Sequence, residues 1–183
     1  MTFNALGLGI VESDFKPEAR SGKKAQGVYQ FVERTARSVG LKDRSDPVES
    51  AKAATKYTTQ LYGQMRDKVE RLAKRDGKTK WLENATVGDV YALALLSYNG
   101  GPSQIGPITI GELLAGKKLT TTYGESNDYV TRMLGWSKSF KKGVFPENSG
   151  ANKAKSDRVL KLLELNGIDV ERLEETFNKK AFN

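Results

Sequence analysis

The chain has no cysteine and no histidine among its 183 residues. Without cysteine there are no disulfides, no thiolate nucleophile and no thiolate-held metal. Without histidine there is no Ser-His-Asp or Cys-His machinery and almost no zinc hydrolase design, because those sites use imidazole as base or ligand. The acids and bases left are Asp, Glu, Lys and Tyr, and glycan cleavage by carboxylates is the hydrolytic chemistry that best fits that set. Neither a metal nor a cofactor is expected. No stretch approaches the roughly 20 apolar residues of a membrane span. Residues 1–10 carry no basic n-region and no Ala-x-Ala cleavage site, so no signal peptide is visible.

What the chain does have is positive charge: 30 Lys and Arg against 22 Asp and Glu, a net +8. A basic surface suits any polyanion, whether a cell-wall polymer or a nucleic acid. No recognition-helix signature and no aromatic RNA-binding motif is present, so nucleic acid is not the expected partner. A chain of this length buries about 70% of its unfolded surface and needs no covalent staple.

Helical periodicity dominates. Phe3, Leu6, Ile10 and Val11 keep one apolar face. Gly7 and Gly9 each weaken that helix by about 1 kcal/mol relative to Ala, which points to tight packing. Pro17 disfavours helical geometry at Lys16, so the helix should end near Asp14 with Glu12 in its last turn, at the edge of a cleft. A second helix is predicted over 27–39, with Val28, Phe31, Val32, Thr35 and Val39 inward and Gly40 as C-cap. Asp46-Pro47 reads as an N-cap and first-turn proline. It opens a stripe of Ala54, Tyr57, Leu61, Met65, Val69 and Leu72, broken by Asp76-Gly77. Thr86 and Asp89 have the capping-box form ahead of a run, Val90 to Leu96, that is apolar almost all round and should be the buried centre. That helix should stop at Asn99-Gly100-Gly101-Pro102. Short helices are expected at 110–114 and 129–136, and no strand alternation is evident.

Three motifs follow in order along this framework. The first is Glu12-Ser13-Asp14-Phe15, with Pro17 and Ser21, continued by Gly27-Val28-Tyr29-Gln30 and Thr35-Ala36. The second is Ser97-Tyr98-Asn99-Gly100-Gly101-Pro102, and the third Glu125-Ser126-Asn127-Asp128-Tyr129-Val130. Together they resemble the signature of soluble lytic transglycosylases, lysozyme-like enzymes that cut the glycan strands of bacterial peptidoglycan. The resemblance covers roughly residues 4 to 135. With the helical periods and the lack of strand alternation it points to an all-α fold, lysozyme-like α+β at most with little or no sheet, in a single globular domain; the apolar spacing beyond it adds a C-terminal helical appendage. It also implies that Glu12 is the sole acid/base and that the C6 hydroxyl of N-acetylmuramic acid attacks its own anomeric carbon, giving a 1,6-anhydro ring.

The residues themselves support part of this. Glu12 follows Leu8, Ile10 and Val11 and precedes Phe15, an apolar setting that would raise a carboxyl pKa. Asp14 and Glu18 are near in sequence but lie in a segment expected to face solvent. Ser21 aligns with a family serine that positions acetamido or muramyl groups; a loop serine bonding its own backbone is the other reading. Gln30 would offer its amide to a sugar, with Gly27 letting its helix approach the cleft. Tyr98 and Asn99 should line the cleft beside Glu12, although Tyr98 reads equally as a core tyrosine. Glu125 matches the second acidic position of the family and would organise the cleft, with Tyr129 one turn on. Three departures stand out: Lys24-Ala25 where Gly-Ala is usual, Tyr29 where Met is usual near the sugar subsites, and Ser97 with Gly100 in place of two alanines.

The expected organisation is a catalytic domain over 1–141, a linker at 142–155 and a C-terminal helical segment at 156–183. Val159, Leu160, Leu162, Leu163 and Leu165 would pack back on the domain or dock a partner, such as other virion proteins. A wall-degrading chain without a visible signal fits delivery in a phage particle, acting in the host periplasm or cell wall during genome entry, or a piece of a longer protein. Two alternatives remain open. One is a hydrolytic muramidase of the same fold, with Asp14 or Glu125 placing water. The other is a non-catalytic, cell-wall-binding virion protein.

Overall fold

A computed structural model describes residues 3–117, 119, 129 and 179–182. Glu125, most of the helix expected at 129–136, the linker at 142–155 and the helices expected between 156 and 177 lie outside the described residues. Among the described residues there are six α-helices, one 3₁₀ turn, three isolated β-bridges and no strand. The fold class is all-α. The chain forms two compact units that divide between Tyr57 and Thr58.

The first unit contains α1 (Phe3–Ser13), α2 (Glu33–Val39) and the start of α3 (Pro47–Arg75). Leu8, off the predicted stripe, is fully buried, while Ile10 and Val11 are half-buried. The helix ends where expected, but Pro17 is not the immediate cause. Asp14 (φ 56°) and Phe15 (φ 58°) are both left-handed, and Phe15 N–H donates to Gly9 O at 3.1 Å. This reversal lays the Phe15 ring on Gly9, where an added Cβ would stand 2.6 Å from Cε1. The close neighbour that Gly9 accommodates is its own helix's exit.

The helix predicted over 27–39 is shorter than expected: α2 begins only at Glu33. Residues 27–30 form a turn. Gln26 bridges both Arg20 and Phe31, and Gly27 has φ 82° with room for no side chain, since a Cβ would lie 1.7 Å from Arg44 O. Gly27 therefore admits a crossing backbone and does not bring a helix toward a cleft. Gly40 caps α2 as predicted, with φ 81°; its N–H donates to Arg37 O and that of Leu41 to Ala36 O at 2.9 Å. Asp46 Oδ1 accepts from the N–H groups of Val48 (2.8 Å) and Glu49 (2.9 Å), so α3 starts on the cap that its sequence predicts.

The second unit is built from the rest of α3, α4 (Thr79–Asn84), α5 (Val87–Gly100), a 3₁₀ turn (Pro102–Gln104) and α6 (Pro107–Leu114). Leu61, Met65 and Val69 of the predicted stripe are wholly buried. The single-turn α4 was not anticipated, because six residues hold too few apolar positions to show a period. The capping box forms as read: Thr86 N–H donates to Asp89 Oδ2 at 2.8 Å and Asp89 N–H to Thr86 Oγ1 at 3.3 Å. Behind it Val90, Leu93, Ala94 and Leu95 are fully buried. Gly101, at φ 87°, turns the chain out of α5.

The last described residues belong to this unit. Val87 N–H donates to Lys179 O and Ala181 N–H to Ala85 O, both at 2.9 Å. Arg66 Nε donates to Ala181 O at 2.8 Å, and its guanidinium lies 5.3 Å over the Phe182 ring, which meets Trp81 edge-on. Ala181 is part of the same buried cluster as Met65, Leu82 and Leu93.

Candidate active site

Glu12 lies in the last turn of α1 and is half-buried. Its neighbour Ser13 fixes the end of that turn. Ser13 Oγ donates to Val28 O at 2.8 Å and accepts from Lys16 N–H at 3.1 Å. One hydroxyl thus ties the exit of α1 to the 27–30 turn and starts the loop that follows. In the sequence Ser13 stands out only as part of a motif; its role depends on a contact 15 residues away, which no local pattern discloses.

The same loop explains Ser21 and Gln30. Ser21 is exposed, and its Oγ accepts from Ala25 N–H at 3.1 Å while its own N–H donates to Ala25 O at 3.0 Å. Gln30 Nε2 donates to Ala19 O (3.2 Å) and Gly27 O (2.9 Å), so its amide nitrogen locks the two ends of the loop together. Tyr29 is completely buried, which puts its ring beneath the surface and pushes its phenol pKa up by desolvation. Arg44, missed in the sequence, is the second clamp. Its Nη1 donates to Lys24 O and Phe31 O, both at 3.1 Å, and its Nη2 pairs with Glu33 at 3.1 Å. The hydrogen bond from Arg37 and the charges of Arg37 and Arg44 hold the Glu33 carboxyl below its usual range.

All four left-handed non-glycine residues among those described fall between positions 14 and 30: Asp14, Phe15, Lys24 and Gln30. Each costs of order 1–3 kcal/mol, and such strain gathers where a surrounding framework enforces a functional geometry. The Thr35-Ala36 pair that closes the first motif is packing: Ala36 is buried, and Thr35 hydrogen-bonds the Tyr57 hydroxyl.

Tyr98 and Asn99 lie near the end of α5, half-buried and exposed respectively, and Tyr129 is buried, all three in the second unit. Ser97, where the family has alanine, is fully buried and harmless there, because its Oγ donates to Leu93 O at 2.7 Å. A cleft of about 250 Å³ in this unit is lined by Lys68, Arg71, Leu72, Ile105, Pro107 and Ile110 and holds none of the predicted site residues. Lys68 Nζ is occupied there by the carbonyls of Pro102 (2.9 Å) and Ile105 (3.4 Å). Among the described residues no group of carboxylates is placed to hold a metal, and no helix is long and apolar enough to cross a membrane.

Curated relatives are similar to parts of this chain. A membrane-bound lytic murein transglycosylase F 2 from Alkalilimnicola ehrlichii is 31% identical over 121 residues, which is 66% of this chain and 22% of that protein. A membrane-bound lytic murein transglycosylase F from Pasteurella multocida is 28% identical over 121 residues, 66% of this chain and 20% of that protein. One from Stutzerimonas stutzeri is 33% identical over 63 residues, 34% of this chain and 13% of that protein. The chain therefore spans less than a quarter of the length of these relatives. The Transglycosylase SLT domain matches residues 4–108, a span that holds Glu12, Ser13, the strained loop and the Tyr98-Asn99 pair and ends before the third motif. With more than half of the chain inside that match, and both of its first two motifs in place, the protein belongs to the transglycosylase SLT domain family.

Proposed function

We propose that the chain is a peptidoglycan lytic transglycosylase with Glu12 as its acid/base. The observation that carries this reading is the setting of Glu12: half-buried in the last turn of α1, next to a serine bonded to Val28, at the head of a strained and internally bonded loop. One carboxyl can serve as acid and then as base when it passes through both protonation states within a single reaction.

In the proposed reaction Glu12 gives its proton to the glycosidic oxygen as the bond from the muramyl anomeric carbon breaks. The carboxylate then takes the proton of the C6 hydroxyl as that oxygen bonds to the same carbon. No water is consumed and Glu12 ends protonated as it began. Internal attack replaces a bimolecular step, a saving of up to roughly 7–11 kcal/mol when the geometry is held. Ser21 and Gln30 are the proposed glycan contacts of the first unit and Tyr98 and Asn99 those of the second; Tyr29 and Tyr129 are buried and would act through packing, and Glu125 takes its place from the third motif.

Glu12→Gln is nearly isosteric and should leave the helical circular dichroism unchanged while lysis falls by at least about 100-fold, the scale of general acid catalysis. A folded variant with more than about a hundredth of the activity would remove Glu12 from this role. Digestion in heavy-oxygen water separates the two glycosidase outcomes. Anhydro ends carry no label, whereas labelled reducing ends as the main product would make the enzyme a hydrolytic muramidase.

A further inference from the structure

Lys16, Arg20, Lys23 and Lys24 all lie on the loop that leaves α1 directly after Glu12, and all four are exposed. Five other cations among the described residues sit in ion pairs: Arg37 and Arg44 with Glu33, Lys52 with Glu49, Lys74 with Glu70, Arg75 with Asp76. None of the four loop cations has an ion-pair partner among the described residues. Asp14 and Glu18 are the carboxylates of the stretch, so four cations face two anions.

The loop is also held still. Gly27 N–H donates to Ala19 O at 2.9 Å, Ser21 and Ala25 exchange bonds at 3.0 and 3.1 Å, and Arg44 grips Lys24 O at 3.1 Å. Lys24 is kept at φ 60°, a conformation that glycine adopts freely and a lysine only under strain. Nothing in the turn geometry asks for a long cationic side chain there. Its charge is what a lysine adds over the glycine that the backbone prefers.

We propose that Lys16, Arg20, Lys23 and Lys24 form a fixed anion-binding edge that takes the carboxylates of the peptides borne by the glycan strand, so that peptide-bearing strands are bound in preference to bare glycan. The inference rests on peptidoglycan being the substrate, as read above. Cations on a rigid loop lose little further freedom on binding, and charges at the rim of a site set encounter and register.

Binding is read without turnover in the Glu12→Gln full chain, by pelleting with insoluble peptidoglycan that is either intact or stripped of its peptides by an amidase. Adding Lys16→Gln, Lys23→Gln and Lys24→Gly should weaken binding to intact material about tenfold, the sum of three exposed pairs, and leave binding to stripped glycan unchanged. Lys24→Gly alone should cost about twofold and melt no lower than its parent, so a folding defect in the triple variant leaves the test intact. The intact-over-stripped preference should vanish near 0.5 M salt, where exposed charges are screened beyond about 4–5 Å. Equal binding of parent and variants to intact peptidoglycan would overturn the proposal, as would an equal loss on both materials. A loss seen only with phosphatidylglycerol vesicles or duplex DNA would assign the edge to a different polyanion. A wild-type chain that yields no anhydro product would remove the transglycosylase reading while the binding contrast between intact and stripped material still decides this one.

Discussion

At the scale of single residues, the positions that matter around Glu12 are those that hold it. Ser13 contributes one hydroxyl to two bonds, donating to Val28 O and accepting from Lys16 N–H. Ser13→Ala leaves the carbonyl of buried Val28 without that donor, a loss of about 1–3 kcal/mol. It should also free the end of α1; on the proposed role of Glu12, kcat is expected to fall about tenfold with KM little changed, because a loosened acid loses near-attack geometry before it loses affinity. Ser13→Thr keeps the hydroxyl and should recover most of kcat. A Ser13→Ala enzyme with a lowered urea midpoint but an unaltered kcat would make Ser13 structural only. Glu12, Ser21 and Gln30 were legible as motif positions. The bond that Ser21 makes to its own loop was one of two readings, whereas the bonds of Gln30 to Ala19 O and Gly27 O were not expected, since a sequence does not say whether an amide faces a ligand or a carbonyl.

At the scale of elements, the two glycines Gly9 in α1 and Gly63 in α3 separate propensity from packing. Both are helical, and each should gain about 1 kcal/mol of helix propensity on becoming alanine. At Gly63 an added Cβ meets nothing within 4 Å, so Gly63→Ala should stabilise by about that amount. At Gly9 the Cβ would stand 2.6 Å from Phe15 Cε1 and 2.9 Å from Cζ. Phe15 must then move, an overpacking cost of about 1–3 kcal/mol that outweighs the propensity gain. Thermal melting should therefore rise for Gly63→Ala and fall for Gly9→Ala. Removing the ring as well, in Gly9→Ala/Phe15→Ala, should show a non-additive cycle of at least about 0.5 kcal/mol. An additive cycle would mean that the ring and the helix do not press on each other. The caps at Asp46, Thr86 and Gly40 were readable because capping is local chemistry. The false start of α2 at Gly27 was not, because that glycine answers to the Arg44 backbone, 17 residues on.

At the scale of the whole molecule, the chain's last described residues are structural. Lys179 and Ala181 bond Val87 and Ala85 across an isolated bridge, and Phe182 sits between Trp81 and the Arg66 guanidinium. Deleting residues 179–183 removes this cover and should lower stability by about 2–4 kcal/mol, the scale of losing one large apolar contact and its bonds. Against a total of about 5–15 kcal/mol that loss is visible as a lower urea midpoint with helix content retained in native buffer. A chain cut after Lys142 loses the same residues and should be weakened at least as much. An unchanged midpoint in the short deletion would show that the bridge adds nothing to the unit.

The absence of histidine and cysteine, the helical spacing, the caps and the order of three motifs were properties of the sequence alone, and they led to an all-α member of this family with Glu12 at the end of its first helix. These are local or compositional facts, set by side-chain chemistry and by periods of a few residues. Only the tertiary structure decided that Gly27 makes room for a backbone and not for a helix, that Ser13 and Arg44 clamp the loop after Glu12, and that residues 179–182 close the second unit. Each of those joins positions from 15 to about 100 residues apart, and such pairings arise from packing once the chain has collapsed, so no stretch of sequence carries them by itself.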